Sequence, residues 1–265
     1  MSLYPVPAAP WLLPLALAGI LVSPSFATAG DLKMQISPSF SHGTYGSDVS
    51  TDTFTLPLRI RYREGPFKVA IRIPYLSVTG PRSPVPNVGV VGSPGNNRAT
   101  IEGLGDLGLS AAARVLGGQE GDSFKLELGV GTKLPTGNRA RGLGSGQVGL
   151  SVQIETTFNV TQDVSLELTT GGFFRTRQGD NRQLRDFLYN SMTLHYEITP
   201  TMTVGMTLDV QERAVSSGTA VLEAGLFVEY EIAPKTRIGS SLFKGFTRDS
   251  SAYGISLLLS HRFSI

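Results

Sequence analysis

Residues 54–62 read FTLPLRIRY, and this stretch decides the fold because every second residue in it is apolar. A two-residue period places the apolar side chains on one face of a β-strand and the others on the opposite face. The opposite face carries two arginines, so one side of the strand suits lipid or a core and the other suits water. The apolar set is Phe54, Leu56, Leu58, Ile60 and Tyr62, and the alternate set is Thr55, Pro57, Arg59 and Arg61.

The same period recurs along the rest of the chain and predicts twelve strands. Most of these segments are close to the length of roughly 9–11 residues that a tilted strand needs to cross a bilayer. The predicted strands lie near residues 32–41, 54–62, 67–75, 107–115, 124–130, 148–158, 164–168, 192–198, 202–210, 222–230, 236–246 and 253–263.

The connections between these strands alternate between short and long. Short turns on one rim and longer loops on the other are typical of a transmembrane barrel, whereas a soluble β-sandwich has no reason to keep that parity. The short set is 64–66, 117–122, 161–163, 199–201 and 233–235, and the longer set is 42–51, 80–100, 135–146, 176–186, 212–218 and 247–251. The loop at 80–100 is long enough to fold over or into the mouth of a barrel.

Aromatic and charged residues agree with this interpretation. If the short turns are periplasmic, the aromatic residues of the apolar face form two bands near the two rims, as in barrels that cross a membrane. Only Lys244 and His261 place a basic side chain on the apolar face, and both lie near strand ends. The sequence therefore predicts an all-β protein, a single up-and-down antiparallel transmembrane β-barrel.

The first thirty residues resemble a secretory signal. No charged side chain precedes Asp31, an apolar core covers residues 11–22, and the triplet Ala27-Thr28-Ala29 fits an A-x-A cleavage site. The positively charged start of such a signal is missing, and an uncleaved anchor is the alternative. We expect residues 1–29 to be a cleaved signal peptide and residues 30–265 to form a barrel in the outer membrane of a Gram-negative cell.

Composition excludes several classes of function. The chain has no cysteine, which excludes disulfides and thiolate metal sites, and its net charge of +2 is too small for a nucleic-acid-binding surface. Gly103, Gly105 and Gly108 match the spacing G-x-G-x-x-G of dinucleotide sites, which need a helix after the glycines. The residues that follow fit either an alternating strand or a helical stripe, and export to a compartment poor in ATP and NAD favours the strand. We expect no cofactor, no metal and no nucleic-acid partner.

The predicted inner face divides into a basic wall on strands two to five and an acidic wall on strands six to ten. Walls that stand apart would create a transverse field for passing solutes, whereas walls that meet would form ion pairs that fill the interior. A polar lumen without selectivity is the third alternative. The candidate selectivity residues are Arg59, Arg61, Arg72, Arg114, Lys133, Glu155, Glu167, Asp209, Glu223 and Glu229.

A barrel enzyme, such as a lipid hydrolase, is an alternative function. The positions of the three histidines in the sequence test it. Outer-membrane phospholipases place a nucleophilic serine two residues after the base histidine on one strand face. The residues two positions after His42, His195 and His261 are Thr44, Glu197 and Phe263, so no serine has that spacing.

Two short motifs resemble a known family. Gly103-Leu-Gly105-Asp106-Leu107 opens one strand and Lys133-Leu-Pro135-Thr136-Gly137 ends the next. With the twelve-strand layout, the chain resembles the outer-membrane "MetA-pathway of phenol degradation" family. The resemblance implies uptake of aromatic or hydrophobic compounds and supplies no binding residues.

We therefore predict an outer-membrane channel for the passive passage of small solutes, with a plugged structural or adhesive barrel as a further alternative. The expected partners are outer-membrane lipids, a small-molecule solute, and the barrel-assembly machinery acting on the C-terminal strand. That strand alternates up to the end of the chain but finishes in Ile265, where such barrels usually end in Phe.

Overall fold

The computed structural model describes residues 30–81, 83–85, 89–91, 99–119, 121–176 and 184–265. The predicted signal peptide, residues 1–29, and most of the loop at 80–100 lie outside the described residues. Within the described part of the chain, no helix is long and apolar enough to cross a bilayer.

Twelve antiparallel strands, β1 to β12, form one sheet in the described residues. Strands β1 and β4 are each interrupted once, so that β1 consists of Asp31–Ile36 and Ser39–Gly43, and β4 of Thr100–Leu104 and Leu107–Gly117. The other strands are β2 (Thr51–Glu64), β3 (Phe67–Thr79), β5 (Phe124–Leu134), β6 (Gly149–Asn159), β7 (Val164–Arg175), β8 (Phe187–Thr199), β9 (Met202–Gln211), β10 (Val221–Ala233), β11 (Thr236–Gly245) and β12 (Tyr253–Ser264). A short hairpin, Ser83–Val85 with Gly89–Val91, lies between β3 and β4, and a 3-10 turn, Arg139–Arg141, follows β5.

The sheet closes where β12 pairs with β1. In this pairing Asp31 lies opposite Ser264 and His42 lies opposite Tyr253, so the contact runs along both segments of β1. Every other pairing joins strands that follow one another in the chain. The predicted up-and-down barrel is therefore confirmed. Lipid tails cannot form hydrogen bonds with an exposed strand edge, and closure of the barrel leaves no such edge.

The connections keep the predicted parity. Gly30, Ile265 and the strand ends that flank the short connections at 65–66, 118–123, 160–163, 200–201 and 234–235 lie at one rim, which we take as periplasmic. The strand ends that flank the connections at 44–50, 80–99, 135–148, 176–186, 212–220 and 246–252 lie at the other rim.

The outer wall is apolar along its whole height. Leu226 and Leu242 are each 64% exposed, and large apolar side chains alternate in the same way on the other strands. Exposure of so much apolar surface to water would be unfavourable, whereas its contact with hydrocarbon tails is not. Exposed aromatic residues form the two expected bands: Phe67, Phe158, Tyr196, Tyr230 and Phe263 near the periplasmic rim, and Phe54, Phe174, Phe246 and Tyr253 near the other.

The interruption of β4 has a definite geometry. Leu104 lies opposite Tyr75 and Gly108 lies opposite Arg72, so three residues of β4 face two residues of β3. This extra residue is a β-bulge, which bends a strand and redirects a side chain. The Gly105 N–H still donates to the Pro74 carbonyl at 2.8 Å, and Asp106 becomes buried, 1% exposed.

The outer wall predicts a depth-dependent cost of charge. Leu226 lies near the middle of β10 and Ile232, which is 51% exposed, lies at the periplasmic end of the same strand. We expect Leu226→Arg to lower the free energy of unfolding from lipid vesicles by roughly 2–4 kcal/mol and Ile232→Arg by about 0–1 kcal/mol. Urea titration of the folded barrel in vesicles measures both, and equal costs at the two positions would contradict the assigned membrane span.

Candidate functional site

The interior of the barrel is the candidate site, because the predicted lumen residues lie on its inner wall. Of the ten predicted residues, nine keep contact with solvent and Lys133 alone is buried, 4% exposed. Arg59 and Asp209 are the most open of the ten. Since these side chains alternate with lipid-facing residues, the water that they contact is inside the barrel.

Glu127 organises the periplasmic half of the basic wall. Its carboxylate is 2% exposed and accepts hydrogen bonds from Arg63 Nη2 at 2.7 Å and from Lys68 Nζ at 2.9 Å, with Lys125 Nζ at 3.8 Å. Lys68 also pairs with Glu155, which joins this cluster to the first strand of the acidic wall. The basic wall and the acidic wall therefore meet at the ion pair between Lys68 and Glu155.

The rest of the acidic wall is not paired with the basic wall in the part of the chain that the structure describes. Among the described residues, Glu167, Asp209 and Glu223 form no ion pair with the basic wall. Asp209 and Glu223 are register partners on β9 and β10, and the Glu223 carboxylate accepts the Ser251 N–H at 2.7 Å. Glu229 lies 4.0 Å from Arg237 of the neighbouring strand. Of the predicted basic residues, Arg114 donates to the Gly118 carbonyl at 2.6 Å. Over most of the circumference the two walls are therefore not joined by ion pairs of the described residues. Arg72 belongs to the basic wall.

The loop at 135–148 folds into the barrel, and we call it the inward loop. Its Leu143 is 2% exposed and packs in a cluster with Leu76, Val78 and Ile101, which face inward from β3 and β4. Gly103 makes this approach possible, because a Cβ atom there would lie 2.9 Å from the Leu143 side chain and the backbone φ is +144°. The inward loop therefore narrows the extracellular half of the lumen on the side of β3 and β4.

Asp106 and Lys133 hold this loop, and we call the pair the latch. Lys133 Nζ lies 2.5 Å from Asp106 Oδ2 and donates to the Gln147 carbonyl at 3.1 Å. The Asp106 carboxylate accepts the Gly137 N–H and the Ser145 N–H, each at 3.0 Å. Lys133 was expected to line the open lumen. It is instead buried, and its ion pair with Asp106 and its hydrogen bond to Gln147 attach the inward loop to the barrel wall.

The two sequence motifs meet at the latch. Thr136 Oγ1 accepts the Leu107 N–H at 2.9 Å and donates to the Gly105 carbonyl at 3.2 Å. A Cβ atom on Gly137 would lie 2.5 Å from the Leu143 carbonyl oxygen, so only glycine fits. Pro135 is exposed beside them. Gly103, Gly105, Asp106, Pro135, Thr136 and Gly137 thus form one structural unit, and Leu107–Gly117 is a strand, as predicted.

Inward aromatic rings lie along the wall. Phe173, Phe227 and Phe243 each cover a glycine of a neighbouring strand, where a Cβ atom would lie within 2.0–2.4 Å of the ring. Phe173 also stacks on Phe187 at 5.2 Å between centroids, and the Arg175 guanidinium lies 5.2 Å from the Phe173 ring. Because the rings lie over glycines, they leave the centre of the lumen to water. The covered glycines are Gly149, Gly205 and Gly254.

The histidines lie in three separate places. His42 Nδ1 is 2.6 Å from Asp52 Oδ1, and the His42 ring stacks on Tyr253 at 5.3 Å. His261 Nδ1 is 2.8 Å from Thr236 Oγ1. His195 faces the lumen, lies opposite Ser165 of β7, and contacts the edge of the Phe227 ring, at 5.3 Å between centroids. In the described residues, none of the three hydrogen-bonds to a serine. These residues also contain no group of three or more carboxylate or imidazole side chains placed to hold a metal ion.

The sequence prediction missed two lumen residues of β1. Lys33 and Gln35 lie opposite Arg61 and Arg59 and face inward beside them. The signal was present, because both alternate with the exposed residues Met34 and Ile36. The strand is short and its second half begins after Pro38, which weakened the pattern.

Comparison with known families gives one match. The model of the family described as "Putative MetA-pathway of phenol degradation" matches residues 37–263, which is most of the chain. No match is found among curated protein sequences.

Solved structures share the barrel. The COG4313 outer membrane channel from Pseudomonas putida F1 has a TM-score of 0.64 at 15% identity, over 88% of this chain and 94% of that one. The NanC porin has a TM-score of 0.56 at 10% identity, over 88% of this chain and 100% of that one. The KdgM porin has a TM-score of 0.51 at 11% identity, over 88% and 99%. At these identities the likeness establishes the shared fold.

The latch predicts the accessibility of the inward loop. Asp106→Ala removes the acceptor of two loop N–H groups and leaves Lys133 charged and unpaired, so we expect the loop to leave the wall. Trypsin should then cut after Arg139 or Arg141 several times faster than in the wild type, measured by mass spectrometry on the folded barrel. Asp163→Ala, in an exposed periplasmic turn, is the matched control. Unchanged cleavage in the Asp106 variant would show that the latch does not hold the loop.

Proposed function

Because the chain belongs to the family described as "Putative MetA-pathway of phenol degradation", we propose that it is an outer-membrane channel through which small solutes pass passively. The observation that carries this proposal is the division of the barrel: the outer wall is apolar, and nine of the ten predicted lumen charges contact solvent inside. A continuous polar interior offers solutes a path that the surrounding lipid does not.

The inward loop sets the width of this channel. An eight-stranded barrel is filled by its own side chains, whereas barrels of 16 or more strands leave an aqueous channel. A twelve-stranded barrel lies between these cases, so an inward-folded loop decides how much of its lumen remains. The latch attaches that loop to one side, beside β3 and β4, and the lumen along the acidic wall stays available.

Aromatic compounds are a reasonable class of solute. The family description refers to phenol degradation, and Phe173, Phe187 and Arg175 form an aromatic and cationic surface near the extracellular end of β7 and β8. Rings of a solute interact favourably with aromatic edges and with a guanidinium. The similar proteins support the same function by analogy, since one is named a channel and two are named porins.

We also infer that the barrel-assembly machinery inserts this protein through β12. That strand alternates to the end of the chain, and Phe263, 43% exposed, is its last aromatic residue.

A lipid hydrolase is the competing function. His195 is the histidine inside the barrel, and its register partner on β7 is Ser165, although no hydrogen bond joins these two side chains in the described residues. A lipid-hydrolysis assay decides between the two: activity that is lost in His195→Ala would establish the enzyme.

Single-channel recording in planar bilayers tests the channel. We expect discrete openings from the wild type and a larger open conductance from Asp106→Ala, because release of the inward loop widens the narrow part of the lumen. Asp163→Ala should match the wild type. Folded wild-type protein that inserts but never conducts would contradict the channel and would support a plugged structural barrel.

A further inference from the structure

We propose that the inner wall carries a binding site for the oxyanion headgroup of a small solute, formed by Lys33, Gln35, Arg59 and Arg61. We call these four residues the basic recess. The proposal rests on the proposed channel function and names the class of solute that the channel favours, an organic anion with a carboxylate or phosphate group.

The four side chains share one place in the fold. Lys33 lies opposite Arg61 and Gln35 lies opposite Arg59 on the neighbouring strands β1 and β2, and together they line one recess. Arg59 is also the register partner of Arg72 on β3, and Arg72 is the partner of Gly108, two residues from Asp106. The recess therefore lies just on the periplasmic side of the latch, where a solute arrives after it passes the inward loop.

The cations of the basic recess, Lys33, Arg59 and Arg61, form no ion pair among the described residues. Neighbouring cations differ, since Arg63 pairs with Glu127 at 2.7 Å and Arg262 pairs with Asp31 at 3.5 Å. The cations around the recess are therefore held in ion pairs, whereas those within it are not paired in the described residues.

This arrangement is unfavourable without a ligand. Lys33 and Arg61 lie directly opposite each other. Like charges at directly opposed positions of an antiparallel pair destabilise a sheet. An anion bound beside them relieves this repulsion, so this like-charged pair indicates a site for a charged solute.

The donors of the recess select an oxyanion. Each guanidinium offers a planar fork of N–H groups that matches two oxygens of a carboxylate or a phosphate. Lys33 adds a further positive charge. Gln35 Nε2 donates to Ser37 Oγ at 2.9 Å, which fixes the Gln35 side chain at the edge of the recess. A neutral solute of the same size gains none of the charge-assisted bonds.

Channel block with three aromatic probes tests the site. We expect benzoate or phenyl phosphate, added at low salt, to block the wild-type current at concentrations at which neutral benzyl alcohol does not. The double variant Arg59→Gln/Arg61→Gln should need at least about tenfold more of the blocking anion, because two charge-assisted contacts are lost. Arg59→Lys/Arg61→Lys keeps the charge without the fork and should fall between the two.

A matched control separates the recess from net charge. Lys235→Gln/Arg248→Gln also removes two positive charges, one from a periplasmic turn and one from an extracellular loop. We expect the current through this variant to be blocked like that of the wild type. Arg59→Gln/Arg61→Gln removes repulsion and Arg59→Lys/Arg61→Lys keeps the wild-type charge, so we expect both variants to fold, which heat-dependent gel migration checks. Wild-type protein that conducts but is blocked equally by all three probes would overturn the site and leave the channel intact.

Calorimetric titration of the detergent-folded barrel with the same probes tests the site without conduction. Heat of binding from benzoate or phenyl phosphate that disappears in the Arg59→Gln/Arg61→Gln variant supports the basic recess even in a barrel that does not conduct. Absence of binding by both anions to the wild type would overturn it.

Discussion

The hydrocarbon core of a membrane contains no water, and this constraint determines the architecture of the protein. Every backbone N–H and C=O group in that layer must find a partner within the protein, since each unpaired group costs several kcal/mol. Twelve strands meet this requirement only because β12 returns to β1. Closure also explains the two-residue period of the sequence. In a closed sheet one set of alternate side chains faces lipid and the other set faces an enclosed interior.

Closure also allows the interior to be charged. Side chains such as Arg61 and Asp209 would be costly on the outer wall, yet inside they contact water. Where charges leave water, they are paired: Glu127 collects three cations and Asp106 holds Lys133. Glycines on the same wall accept the aromatic rings of neighbouring strands, which keeps those rings out of the passage. The lumen is thus shaped by the inward loop and by a wall of unequal charge.

Much of this structure could be predicted from the sequence because a barrel is built from local signals. Strand period, loop parity and the two aromatic bands each follow from neighbouring residues, and the fold predicted from them is confirmed. The latch could not be predicted in this way. Asp106 and Lys133 are 27 positions apart, and their contact depends on the β-bulge at Gly105 and on the path of the inward loop, which no periodicity reveals. Lys133 fitted the alternation of β5 and was therefore expected to face open water. Lys33 and Gln35 were missed for the opposite reason, since the interruption at Pro38 shortens the pattern that would have placed them inside.

The pairing of β1 with β12 can be tested most directly with engineered cysteines, since the chain has none of its own. Gln35 and Ser260 are register partners. The Ile265 N–H donates to the Gly30 carbonyl and the Leu257 N–H to the Pro38 carbonyl, so the alternation of an antiparallel ladder makes Gln35 and Ser260 a non-hydrogen-bonded pair, whose Cα atoms are close. Under mild oxidation of the membrane-inserted protein, Gln35→Cys/Ser260→Cys should form an intramolecular disulfide, whereas Gln35→Cys/Ser256→Cys, displaced by four residues, should not. Failure of the first pair to form a disulfide within one chain, or its formation only between chains, would contradict a closed barrel.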